Sequence, residues 1–161
     1  MRSGGSEMID VVTFAAALGA VLVAGIFFAF SSFVMKALAR IPPAQGIAAM
    51  QSINVVVINP VFMAAFLGTG AICAALAVLS LLRWSEPGSA LRLAGSGLYL
   101  VGTLGVTMAK NVPRNDALAR VDPESDEGAR VWVGYVAGWT AWNHVRTAAA
   151  AAAAAALTLA R

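Results

Sequence analysis

Trp132, Tyr135, Trp139, Trp142, Asn143 and Arg146 recur at intervals of three or four residues, except that Asn143 adjoins Trp142. At the turn of an α-helix they fall within an arc of roughly 100° and share one face. This face gathers aromatic rings with an amide and a guanidinium. For Trp132 and Tyr135 a plainer reading is a belt of aromatics at a membrane surface. Arg146 is different, because a guanidinium deep in an apolar helix is unfavourable unless it snorkels or faces a polar cavity. Arginine has donors only, so Arg146 is expected to face the interior and reach an amide among Asn54, Asn111, Asn115 and Asn143. His144, the one histidine, points away from the shared arc and reads as a polar group packed on a neighbouring helix. Gly134 and Gly138 form a GxxxG on another face, suited to close helix packing or to a homodimer.

The residue types that are missing narrow the chemistry. Glu86 is the only carboxylate between Val11 and Asn115. A di-iron bundle needs paired Glu with Glu-x-x-His, a facial-triad iron site needs two histidines, and haem needs an oriented axial ligand. Cys73 is the one cysteine, so there is neither a disulfide framework nor a thiolate metal site. No metal and no cofactor are expected. A proton-coupled exporter would place a carboxylate within a span, and none is present. The net charge of +3 comes from having few acids, and the basic residues are scattered along the loops, so no nucleic-acid partner is expected.

Positioning these residues falls to membrane helices. The chain is 60% hydrophobic and 12% charged, against roughly 25% charge in soluble domains. The expected fold is all-α, a membrane-embedded four-helix bundle formed by residues 1–161 as one domain. Its spans lie at about 10–37, 60–83, 91–110 and 130–160, where apolar runs meet the roughly 20 residues that cross a bilayer. Pro42-Pro43 and Asn59-Pro60 bracket a stretch carrying Gln45, Gln51, Ser52 and Asn54, which suits a short interfacial helix between spans one and two. Asn111-Val112-Pro113-Arg114-Asn115 reads on spacing as a capped helix end and a turn. Asp122-Pro123 ahead of Glu124, Asp126 and Glu127 reads as a helix start near residue 123, the alternative being a start after Gly128. In a four-span chain the first and third loops emerge on one side, where the fourth helix also begins. Asn54, Asn59, Lys110, Asn111, Arg114, Asn115 and Asp116 can therefore meet the Asn143–Arg146 face.

Phe27-Phe28-Ala29-Phe30-Ser31, Met50-Gln51-Ser52-Ile53-Asn54, Asn111-Val112-Pro113-Arg114-Asn115-Asp116-Ala117-Leu118 and Trp139-Thr140-Ala141-Trp142-Asn143-His144-Val145-Arg146-Thr147 appear in this order. Together they resemble the DUF1772 family, whose best-known members are the anthrone oxygenases of polyketide pathways; the resemblance runs from about residue 10 to 147. Lys36 stands where the family often has proline. The resemblance implies a cofactor-independent monooxygenase in which an anthrone-type phenol is enolised and its carbanion meets O2, giving a quinone and water. On that reading Arg146, with Asn143, Asn111 or Asn115, stabilises the enolate oxygen. Trp139 and Trp142, with Tyr135, Asn54 and His144, contact the substrate. For a general base, His144 has the fitting intrinsic acidity but lies off the face, and Asp116 and Lys110 serve only if the third loop folds inward.

The rival reading is a non-catalytic membrane protein, either a binder of lipid or quinone or an accessory subunit. The expected partners are the lipid bilayer, an apolar aromatic small molecule and O2, and the expected location is a bacterial cytoplasmic membrane. The purified protein is predicted to carry no stoichiometric metal; elemental analysis finding one iron or copper per chain would overturn that expectation.

Overall fold

The computed structural model describes residues 4–160, and all regular structure in them is helical. Five continuous helices result. α1 (residues 4–38) joins Gly4–Ala29, a wide turn at Phe30–Val34, and Met35–Leu38. α2 is Pro43–Val56 and α3 is Pro60–Leu82. α4 (residues 89–119) joins Ser89–Gly97, wide turns at Leu98–Gly105 and Thr107–Asn111, and Val112–Ala119. α5 is Asp126–Leu159. α1 packs along α5 and α3, α3 along the first half of α4, and α4 along α5.

Two helices are long and apolar enough to cross a membrane: Gly5–Leu38, with mean hydropathy 2.5, and Pro60–Leu82, with 2.2. Their apolar residues are not mainly core, since only 33% and 28% of those windows are buried. Phe14, Leu18, Phe28, Phe33, Leu67 and Leu81 face outward instead, as expected where lipid replaces water.

Several helix ends follow the local chemistry read in the sequence. Pro60 occupies the first turn of α3, where a missing N–H leaves nothing unpaired, and Asn59 caps it by accepting from Phe62 N at 3.0 Å. The start of α5 differs from the expectation at residue 123. Ser125 is the cap, accepting from Gly128 N at 2.9 Å, while Asp122 turns back to accept from Glu124 N. Asp126 and Glu127 still supply the acidic first turn.

The larger correction concerns Asn111–Asn115, where no turn occurs and α4 runs straight through. In a regular helix the Pro113 ring would clash with a carbonyl of the preceding turn, and its nitrogen would donate nothing. The wide turn before it, in which Val112 N–H reaches back to Thr107 O, relieves that conflict and keeps the helix continuous. α1 likewise passes through Lys36 without a break, the wide turn falling just before it.

α2 lies across one end of the long helices and is held by a side chain. Gln51 Nε2 donates to Leu118 O at 2.9 Å and to Val121 O at 3.1 Å, tying α2 to the last turn of α4 and to the residues just after it. Beneath it Met35, Ile47, Met50, Leu118, Trp132, Tyr135 and Trp139 form one apolar cluster. At the other end the contact between α4 and α5 is made by small residues. A Cβ placed on Gly95 would come within 2.8 Å of Leu157 Cγ and 3.1 Å of Ala153 O, whereas one on Gly97 would meet nothing within 4 Å. Gly95→Val is therefore predicted to destabilise the protein by about 1–3 kcal/mol through overpacking, and Gly97→Ala to leave it unchanged. Thermal unfolding of both variants in detergent checks the difference.

Candidate functional site

Arg146 lies in the middle of α5 and is 6% exposed. Its Cζ sits 3.8 Å from the ring centroid of Phe27 and 4.8 Å from that of Trp139, so both rings present faces to the cation. Nε donates to Asn143 Oδ1 at 2.8 Å, and Nη1 donates to Thr107 Oγ1 at 3.3 Å. The expected contact with an amide is thus made by Asn143. Among the described residues no carboxylate pairs with Arg146.

Each partner of Arg146 is itself held. Asn143, fully buried, donates from Nδ2 to Phe27 O at 2.8 Å and to Ser31 Oγ at 2.7 Å. Thr147 gives its proton to Asn143 O, so in the 3.2 Å contact between Ser31 and Thr147 the serine is the donor. Thr107 gives its proton to Thr103 O at 2.7 Å, which leaves its lone pairs for the guanidinium. Ser31 and Thr107 both stand in the wide turns, and these turns set their registers against α5. Polar groups buried this way act as one network, and removing a member leaves the others unpaired.

The guanidinium forms part of the wall of a cavity of about 380 Å³. α1 contributes Ile26, Phe27 and Phe30; the α2 region contributes Met50, Ile53 and Asn54; α3 contributes Phe62, Met63 and Phe66; α4 contributes Thr107, Met108, Val112 and Asn115; and α5 contributes Trp139 and Arg146. Most of that wall is carbon, and Arg146 is its one charged group. Ile58, Leu67 and Met108 belong both to the wall and to the exposed surface, so the cavity opens outward there. Volume and lining suit a flat apolar molecule of a few fused rings.

The residues singled out in the sequence divide between the wall and its support. Asn54, Asn115, Trp139 and Arg146 line the cavity. Tyr135 and Asn143 are buried behind it, Tyr135 donating to Asn115 Oδ1 at 2.9 Å. Asn111 is also behind the wall, donating to Trp139 O at 3.2 Å, and its Oδ1 has no partner among the described residues. Trp142 stands outside, its ring 4.9 Å from Lys110 Nζ. His144 and Asp116 are exposed. None of His144, Asp116 and Lys110 lines the cavity: α4 stays helical where an inward-folded loop would have been needed to bring Asp116 and Lys110 there. Gly138 lies against the Arg114 guanidinium of its own chain, while Gly134 faces open space.

Sequence reasoning missed Thr107, Ser31 and Phe27 as partners of the central face. For Ser31 and Phe27 a signal was present, since they stand one turn apart on the same side of α1. For Thr107 none was, because the wide turns shift it relative to any regular count.

These features define an all-α membrane protein that gathers an apolar cavity around one buried guanidinium. The chain belongs to the anthrone oxygenase family, with residues 61–156 matching it. That segment holds Thr107, Asn115, Trp139, Asn143 and Arg146, while Phe27, Ser31 and Asn54 precede it. Among curated proteins and among solved structures, none matches the chain.

Asn143→Leu is predicted to lower stability by about 1–3 kcal/mol, because it strands Arg146 Nε and Ser31 in the interior. His144→Ala, on the exposed side of the same helix, is expected to stay within about 0.5 kcal/mol of the parent. Unfolding midpoints of the two variants measured side by side test this.

Proposed function

We propose that the protein is a four-span membrane oxygenase that converts an apolar anthrone-type phenol into a quinone with O2 and no cofactor. The observation that carries this reading is the buried Arg146 cation, which has neutral partners only and faces an apolar cavity. A buried charge without a counter-ion is unfavourable. A ligand bearing an anionic oxygen removes that penalty, and a keto tautomer without charge does not. The site therefore favours the ionised enol, and preorganised donors in a dry cavity stabilise such an oxyanion far better than water does.

Among the described residues no carboxylate or imidazole lines the wall, so the protein's share of the work is to bind the enolate, which has already given its proton to water. Electron density displaced to the ring carbon opposite the enolate oxygen attacks O2, forming a C–O bond and, after protonation, a hydroperoxide. Loss of the remaining C–H proton together with hydroxide yields the carbonyl and one water. The sum is a CH2 group and O2 giving C=O and H2O. Trp139 and Phe27 provide faces for the ring system, and Asn143 and Thr107 fix the guanidinium plane.

The lack of a base in the wall also suits a protein that binds a lipid-soluble phenol or quinone without turnover. Oxygen uptake and quinone formation from an anthrone by protein in nanodiscs, above the spontaneous rate, separate the two readings; no excess rate overturns the oxygenase. Arg146→Met keeps much of the bulk and removes the donors. It is predicted to cut turnover by about 10²–10³ while preserving the fold. Parental turnover in that variant would remove Arg146 from the reaction.

A further inference from the structure

Asn115 is a second recognition point at the far end of the same cavity. Its Oδ1 receives two hydrogen bonds, from Tyr135 OH at 2.9 Å and from Trp139 Nε1 at 2.8 Å. An indole nitrogen can only donate, so the atom facing it must be the amide oxygen, and the orientation of the amide is settled by chemistry. Both N–H bonds of Nδ2 then point away from that pair. They have no partner among the described residues, although Asn115 lines the cavity. On Arg146, Nε and Nη1 are engaged and Nη2 is not.

These two groups are linked by one indole. Trp139 has its ring 4.8 Å from Arg146 Cζ and its N–H on Asn115 Oδ1 at 2.8 Å, so the charged and the neutral donor are separated by that ring. Of the other polar groups in the wall, Thr107 has given its proton to Thr103, and Asn54 is an amide without the two contacts that fix the orientation of Asn115. The cavity thus presents a charged donor at one end and a neutral donor at the other, with carbon between.

We propose that the cavity reads two oxygens of its ligand, an anionic one at Arg146 and a neutral one at the Asn115 amide. It therefore takes flat phenols oxygenated at both ends in preference to those oxygenated at one. This rests on the reading of the cavity as a site for a flat phenol, but it requires no turnover. A donor that a bound ligand seals from water disfavours a ligand that leaves it unpaired, which is the source of the selectivity.

Binding of 6-methoxy-2-hydroxyanthracene, whose far oxygen can only accept, and of 2-hydroxyanthracene to the full chain in detergent, followed by tryptophan quenching, tests the proposal. The methoxy phenol should bind about tenfold more tightly, the value of one well-made buried hydrogen bond. Asn115→Asp keeps an acceptor for Tyr135 and Trp139 and replaces the free donors by an oxygen. The ratio of the two affinities should then fall to about twofold or less. If the aspartate variant does not fold, Asn115→Ala also removes the free donors, and Tyr135→Phe, which leaves the Trp139 bond to Oδ1, should retain the preference. Equal affinity of the two phenols for the parent protein, equal losses for both in the variant, or binding of neither would each overturn the proposal. A protein that shows the preference but oxidises no anthrone would refute the oxygenase reading alone.

Discussion

A guanidinium enclosed by carbon, with no negative charge to balance it, is the constraint to which the rest of the interior is fitted. Arg146 is tolerated because four neutral features share its charge: the amide oxygen of Asn143, the hydroxyl of Thr107 and the faces of Phe27 and Trp139. Each is placed by a different helix or a different turn of one. α1, α4 and α5 must therefore be in register before the cation is satisfied, and the network reports on correct assembly as well as on chemistry. A carboxylate in the same position would have balanced the charge and left nothing for a ligand to do.

Register is where the wide turns matter. A regular helix repeats every 3.6 residues, and a helix that must present Thr103, Thr107 and Asn111 to one neighbour while passing through Pro113 cannot keep that repeat throughout. α4 departs from it over Leu98–Gly105 and Thr107–Asn111. α1 does so at Phe30–Val34, beside Ser31. Such insertions are associated with functional sites because they re-aim side chains without ending the helix. Here they coincide with the residues that hold Arg146 and Asn143.

The helical class, the α2 segment and the central face of α5 were legible in the sequence because each depends on something local: apolar run length, a pair of proline stops, a period. Arg146 was legible through cost alone, since so few environments suit it. The start of α5 and the course of α4 were not. Asp122 and Ser125 are both good caps; the helix starts after the later one, where Gly128 N–H donates to Ser125 Oγ and a side chain at 128 would collide with Asp122 O. Asn111-Val112-Pro113 carries the ordinary marks of a helix end, but packing against α5 keeps it helical at the expense of an altered turn. Trp142 and His144 show the limit of counting by angle. Trp142 lies near the edge of the arc, where a few degrees decide between the cavity and the surface, and His144, off the arc, is exposed and outside the wall to which the resemblance assigns it.

The contrast between the two ends of the packed helices has a mechanical consequence. Near Gly95 and Gly102 the neighbours across the contact are Ala149, Ala153 and Leu157, and small side chains let the backbones approach closely. At the other end Phe30, Met50, Phe62 and Trp139 come from four different helices and stand around the cavity, while α4 and α5 stay joined there by Asn111 on Trp139 O and by Thr107 on Arg146. The α4–α5 pair is thus fastened along its length, and the cavity opens between that pair and the other three helices. A molecule that enters or leaves the cavity can displace α1, α2 or α3 without undoing that seam.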